Sequence, residues 1–290
     1  MTERGSAGRW LDEPLGPGLR RSWLLDEVLW SGRTDFQDVV IARTAHGVTL
    51  FCDGERQSSE LSQLVYHEAL LVPALLLAER VERVLVVGSS EGVVSQLAVA
   101  GGAHVVDHVD IDRECVRRCA QLLPYGYTPA ELAAAERHDG RVRVHYADGW
   151  SFVTGASGYD LVVVDLPDER EGDDTAQHNR LYGETFMRHC AAAVREGGVV
   201  TSQAGCPALW RNGGLRRSWG RFRAVFPTVA YYGSDEHEWA FLSARADPVP
   251  DPLALMVERL AALPYRPATL DAPALRAHAV PPNSLRTPRF

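Results

Sequence analysis

Between residues 83 and 168 the chain alternates short, unbroken apolar runs with segments of helical spacing. The runs are RVLVV, HVVDHVDID, RVRVHYADG and YDLVVVDLPD, and an apolar stretch of helical length after the GSSEG turn, residues 113–123 and, less regularly, residues 129–137 fall between them. Strands that are apolar on both faces belong to a parallel sheet covered by helices on both sides. The right-handed crossover rule then gives a doubly wound, Rossmann-like sheet. Upstream, residues 61–79 carry apolar positions at helical spacing, with Pro73 expected to break or kink the helix. Residues 34–59 hold β-branched runs punctuated by His46-Gly47 and Asp53-Gly54, the mark of a hairpin or small meander. The Gly- and Pro-rich residues 1–20 read as a mobile arm. The expected organisation is therefore an arm over 1–20, a small N-terminal β domain over 21–60, and an α/β Rossmann-like domain over 61–290. Within the last, NRLYGETFMRHCAAAVREGG predicts a helix ending at Gly197-Gly198, followed by the strand VVTSQAG. TVAYYG and EWAFLSAR predict a closing hairpin, and the proline-rich residues 249–290 a trailing helix and tail.

Composition narrows the chemistry. All 30 basic residues are arginines, which excludes a lysine Schiff base or lysine nucleophile. A net charge of -8 argues against a nucleic-acid partner, since phosphate binding requires clustered basic residues. The five cysteines are scattered, without a CxxC pair, and suggest a reducing compartment and no structural metal. No apolar run reaches membrane-spanning length and residues 1–10 lack an apolar signal core, so a cytoplasmic protein without membrane contact is expected.

In doubly wound sheets, ligands bind beyond the carboxyl ends of the strands. Gly88, Ser89, Ser90, Glu91 and Gly92 follow the first core strand in a turn that lets backbone approach a ligand. The turn has neither the full dinucleotide fingerprint nor a phosphate-loop lysine. Asp110 ends the second strand about 20 residues later, where a carboxylate takes ribose hydroxyls; the alternative is a helix cap. Asp148-Gly149 ends the third, with the same alternative. Together the three strand ends suggest a nucleoside bound without phosphate recognition. The fourth strand ends in Asp165-Leu166-Pro167-Asp168, two carboxylates that could bind a cation and remove its proton, or form a solvated acidic turn continued by Glu169, Glu171, Asp173 and Asp174.

These residues resemble the spermidine synthase family of polyamine aminopropyltransferases. The resemblance runs through Gln37, Cys52-Asp53-Gly54 with Gln57, Tyr66-His67-Glu68, Gly88 to Val93, Asp110-Ile111-Asp112, Asp148-Gly149, and Asp165 to Asp168. The stretch DLPD, LY and TSQAG is locally similar to the thermospermine synthase branch. The resemblance implies a fold of the class I S-adenosylmethionine-dependent type. It also implies transfer of an aminopropyl group from decarboxylated S-adenosylmethionine to an amine, with release of methylthioadenosine and without a metal. Under it Asp165 is the general base, while Tyr66, Asp168 and Trp239 hold the amine. Gln37, His67, Gly88, Glu91, Asp110, Asp148 and Gly149 hold the donor, and the chain forms a homodimer or homotetramer. Several positions depart from the family pattern. The loop reads GSSEGV where the family has GGGDGG, Ser62 and Gln63 replace acids, and the pocket acid and tyrosine of spermidine synthases fall at Gly205 and Ser234. An amine larger than putrescine is therefore expected. The serines also keep open intact S-adenosylmethionine as donor, in a methyltransferase or an aminocarboxypropyl-transferring enzyme of a specialised pathway.

Overall fold

A computed structural model describes residues 8–170, 172–173 and 176–287. Strands β1 (Arg9–Gly16) and β2 (Leu19–Leu25) form an antiparallel hairpin. Strands β3 (Glu27–Arg33), β4 (Asp38–Thr44), β5 (Gly47–Cys52) and β6 (Glu55–Ser59) follow as an antiparallel sheet in sequential order. Residues 9–20 are thus not an arm. The Gly16-Pro17-Gly18 that suggested mobility is the hairpin turn, with Gly18 at φ +73°. Buried Glu13 ties the hairpin down by accepting from Trp23 Nε1 at 2.7 Å and from the Arg56 backbone N–H at 3.2 Å. Residues 1–7 and the acids Glu171 and Asp174 lie outside the described residues.

Helix α1 (Gln63–Leu77) leads into the larger sheet. It runs through Pro73 without ending there, because Pro73 removes one N–H donor from a helix whose residues 67–77 are all buried against the sheet. The larger unit then proceeds through β7 (Arg83–Gly88), α2 (Val93–Ala100), β8 (Val105–Asp110), α3 (Arg113–Leu122), α4 (Pro129–Glu136), β9 (Val142–Tyr146), α5 (Gly149–Thr154) and β10 (Tyr159–Asp165). After a 3₁₀ turn at Gln177–Tyr182 come α6 (Glu184–Ala193), β11 (Val194–Gly205), α7 (Gly213–Val225), β12 (Thr228–Tyr232) and β13 (Ala240–Arg245). The chain closes with α8 (Pro252–Arg259), α9 (Ala272–His278) and α10 (Asn283–Arg286).

The seven strands are ordered β12-β13-β11-β10-β7-β8-β9, parallel except for β13, which runs antiparallel to both neighbours. The helix expected to reach Gly197-Gly198 stops earlier. Val194 already pairs with Tyr159, and Gly197 at φ +72° lets the strand bulge before pairing resumes at Val199. Helix α7 went unforeseen because only Leu215, Ser218 and Phe222 mark its buried face between arginines.

One face of the sheet packs on α1, α2 and α8, the other on α5, α6 and α7. The N-terminal sheet is fastened beside the carboxyl ends of the core strands, where Val39, Ile41, Leu50 and Cys52 pack on Cys115, Cys119 and Leu123. The C-terminal segment hangs on Glu68 in α1. This carboxylate is 0 % exposed and accepts from Tyr265 Oη, Ala268 N at 2.8 Å, Thr269 N at 2.7 Å and Thr269 Oγ1 at 2.6 Å. Glu68→Ala leaves those donors without their acceptor. It should lower unfolding stability in urea by about 2–4 kcal/mol and expose residues 260–287 to protease first.

Candidate active site

The order of strands reverses between β7 and β10, and a cavity of about 600 Å³ opens beyond their carboxyl ends. Gly88 pairs directly with Asp165. At φ +83° it has no room for a side chain, since a Cβ would lie 2.1 Å from the Asp165 carbonyl oxygen. Gly92, at φ +82°, opens α2 against the ring of Tyr127. Between them Ser89 adopts φ +65°, a strained setting for a residue with a Cβ. Its buried hydroxyl has no hydrogen-bond partner among the described residues. His108 braces the turn from behind, bonded to Gly88 O at 2.8 Å and to Tyr127 Oη at 2.9 Å.

Asp110 is buried at the end of β8. Its carboxylate accepts from Ser90 Oγ at 2.8 Å and from the Asp112 backbone N–H at 2.8 Å. Burial pushes its pKa up to about 7. Asp112 caps α3 through Cys115 N at 3.0 Å. Its other oxygen accepts from Thr34 Oγ1 at 2.6 Å and Gln37 Nε2 at 2.9 Å, so it ties the loop between β3 and β4 to the nucleoside side of the cavity. Asp148 does cap α5, accepting from Ser151 N at 3.0 Å, and it also pairs with Arg180 while lining the cavity. Gly149 lets the start of α5 lie on Val87.

The ionisable centre is formed by Asp165, Glu91, Tyr66 and His67. Tyr66 Oη donates to Asp165 Oδ1 at 2.7 Å. Burial, with the Asp165 charge behind it, raises the Tyr66 pKa far above its ordinary value, so the phenol stays a neutral donor. His67 Nδ1 is 2.7 Å from Gln63 O, and a carbonyl can only accept, so Nδ1 carries a proton. Nε2 then faces Glu91 Oε1 at 3.6 Å and Asp165 Oδ2 at 3.9 Å without a hydrogen-bond partner. Burial raises the pKa of Glu91, partly offset by the nearby imidazole.

Of the residues expected at the site, Gln37, Tyr66, Gly88, Glu91, Asp110, Asp148, Gly149 and Asp165 line this one cavity, and His67 stands directly behind two of them. Asp168 and Trp239 do not. They line a separate chamber on the far side of Tyr66, where Asp168 accepts from Trp239 Nε1 at 3.1 Å, from Gln203 Nε2, and from Arg211 Nη2 at 3.2 Å. Arg211, Gln203, Arg56, Glu13 and Arg180 are side chains that sequence reading missed. Gln203 lies within the TSQAG stretch, which assigns it no role, and each of the five is brought in by long-range packing.

A nucleoside fits the larger cavity on its own terms. The volume is ordinary for a small-molecule site, the turn at Gly88 leaves bare backbone, and two buried polar atoms, Ser89 Oγ and His67 Nε2, lack partners.

The fold and strand order are those of a Rossmann-like, S-adenosylmethionine-type transferase. Comparison with known proteins narrows the class. The spermine/spermidine synthase domain matches residues 63–232. A polyamine aminopropyltransferase of Aeropyrum pernix is 30% identical over 256 residues, covering 83% of this chain and 76% of its own. One from Lachnoclostridium phytofermentans is 26% identical, with 83% and 85% covered. Among solved structures, spermidine synthase from Thermotoga maritima superposes with a TM-score of 0.80 at 20% identity, covering 98% of this chain and 96% of its own. The chain belongs to the spermine/spermidine synthase family, and is with it a transferase of the aminopropyltransferase class.

Ser89 is the odd residue of the glycine turn. Ser89→Gly relieves both the left-handed strain and the unpaired hydroxyl. It should raise stability by about 0.5–1 kcal/mol in thermal melts, whereas Ser89→Val should lower it.

Proposed function

We propose that this enzyme moves an aminopropyl group from decarboxylated S-adenosylmethionine to an amine, with Asp165 as the general base. The observation that carries the reading is the state of Asp165. One oxygen is held by neutral Tyr66, and the other opens on the cavity with no arginine bonded to it among the described residues. An alkyl amine is protonated at neutral pH and has no lone pair until it gives up a proton. Asp165 takes that proton while Tyr66 fixes the carboxylate. The amine nitrogen then bonds to the propyl carbon and the carbon–sulfur bond breaks. The donor's sulfonium supplies an activated carbon and leaves as the neutral thioether methylthioadenosine. The chain's own part is chiefly alignment and charge stabilisation.

Glu91 is suited to the ammonium end of the propyl arm, being a buried carboxyl group with an imidazole beside it and, among the described residues, no arginine at ion-pair distance. Asp110 is suited to the ribose hydroxyls, with Gln37, Gly88, Asp148 and Gly149 around the rest of the nucleoside. Intact S-adenosylmethionine would set a carboxylate close to Glu91. Ser89 alone has a hydroxyl to offer it, since Ser90 is already bonded to Asp110. Relatives named polyamine aminopropyltransferase and a structural neighbour solved with the transition-state analogue AdoDATO support the same reading.

Asp165→Asn should lower kcat for methylthioadenosine release by about 10²- to 10⁴-fold with donor affinity nearly unchanged. Retained turnover would remove the base role. The raised Asp110 pKa makes a further prediction. Below about pH 7 the carboxyl is protonated and loses an acceptor for ribose, so methylthioadenosine should bind more weakly as pH falls, by at most roughly tenfold per unit. Calorimetry across that range should show the slope in the native protein and its loss in Asp110→Asn.

A further inference from the structure

His67 does not line the cavity, yet among the described residues it is the one basic group at ion-pair distance from both Glu91 and Asp165. Its ring is 1 % exposed, on the first turns of α1. The Gln63 carbonyl holds the Nδ1 proton at 2.7 Å, and this turns Nε2 toward Glu91 Oε1 at 3.6 Å and Asp165 Oδ2 at 3.9 Å. Glu91 comes from the turn after β7 and Asp165 from the end of β10, while the Tyr66 ring lies edge-on, its centroid 5.1 Å away. A bare Nε2 lone pair facing two carboxylates is repelled by both, and an Nε2–H is attracted by both. The surroundings of Nε2 thus suit one proton whenever no other cation lies against the two acids.

Aminopropyl transfer leaves such a proton behind. The acceptor starts as an ammonium and gives one proton to Asp165. Its lone pair forms the nitrogen–carbon bond, the carbon–sulfur bond breaks, and the electron pair of that bond stays on sulfur. The nitrogen is then an ammonium again, the sulfur is a neutral thioether, and one proton is left over. The new ammonium forms beside Asp165, where an anionic carboxylate stabilises it and a protonated one does not. An imidazole holds a proton more readily than a carboxylate does, with ordinary pKa values of about 6.5 and about 3.9. Tyr66 occupies Oδ1 of Asp165, so the oxygen that faces the cavity is the one that also faces Nε2. The 3.9 Å between them is a gap of the kind that tightens once substrates fill a site.

Building on the aminopropyl-transfer reading, we infer that His67 stores the proton that Asp165 removes, as a positioning residue acting through that carboxylate. The imidazole is neutral while the donor, cationic at its sulfonium and its ammonium, lies against Glu91 and Asp165. It becomes an imidazolium as the sulfonium loses its charge. Asp165 is thereby anionic again before the products leave.

Calorimetry in buffers of different ionisation heat counts the protons exchanged on binding. Near neutral pH the native protein should release about one proton more on binding decarboxylated S-adenosylmethionine than on binding methylthioadenosine. The ring-nitrogen NMR resonances of His67 should be those of a neutral imidazole in the first complex and of an imidazolium in the second. A ring that only packs gives neither signal. His67→Asn keeps a donor for the Gln63 carbonyl and lacks the Nε2 base. It should abolish the proton difference and, with 1,4-diaminobutane as acceptor, lower kcat by about 10- to 10²-fold with KM for the donor within about threefold. An equal proton count for the two ligands, a count unchanged in His67→Asn, one ring state in both complexes, or binding of neither ligand overturns the inference. Where the variant does not fold, the count and the resonances of the native protein decide. Failure of every amine to release methylthioadenosine would instead count against the transfer reaction, and the state of His67 in the two complexes would still be read.

Discussion

The site depends on a close approach between two strand ends. Gly88 and Asp165 are register partners on β7 and β10, at the place where strand order reverses, and the Ser89 backbone N–H donates to the Asp165 carbonyl at 2.9 Å. A side chain at position 88 would collide with that carbonyl. The glycine therefore does two things at once. It turns the chain into the loop that leaves backbone bare toward the cavity, and it lets the strand bearing Asp165, the proposed base, lie directly alongside. The glycine turn and Asp165 are fixed relative to each other by the sheet's own hydrogen bonds, and a site built on strand ends is held more precisely than one built on loops.

Around that fixed pair the chain sorts its carboxylates by what faces them. Glu68 is fully buried yet purely architectural, spent on the C-terminal segment. Asp112 is likewise spent, on α3 and on the loop of Gln37. Asp110 is buried with hydrogen bonds but no cation, and its pKa rises to about 7. Among the described residues, Asp165 and Glu91 combine burial with an open face on the cavity and an imidazole as the one basic group at ion-pair distance. In a chain whose basic residues are all arginines, a carboxylate without a guanidinium beside it stands apart.

Much of the donor side was legible in the sequence because its residues are local to the strands that carry them. The alternation of apolar runs and helical spacing located β7 through β10, and each strand end delivered a polar residue to one face. Legibility failed where long-range contacts decide. Proline and glycine at residues 14–18 look like disorder until Glu13 is seen buried under Trp23. Pro73 looks like a helix end until the burial of α1 outweighs one lost hydrogen bond. Asp165 and Asp168 read as one acidic pair, yet β10 ends at Asp165. The turn that follows carries Asp168 to the other side of Tyr66, into contact with Gln203, Arg211 and Trp239. Spacing along a chain sets a face within a strand and says nothing once the strand has ended.

The two halves of the site are thus assembled by different means, and this bears on how the enzyme could diverge. The donor half is built from consecutive strand ends of one sheet, so altering it disturbs the sheet itself. The chamber draws on the β1 hairpin through Glu13, on β6 through Arg56, on β11 through Gln203, on the segment before α7 through Arg211, and on the approach to β13 through Trp239. Arg211 and Trp239 lie in connections and Arg56 near the start of its strand, so these positions are set by packing between elements and not by the register of the parallel sheet. An enzyme of this fold can keep its donor and its base while replacing the charges that meet the far end of the acceptor. On this chain the chamber acids Asp168, Glu13 and Glu55 each have an arginine at ion-pair distance.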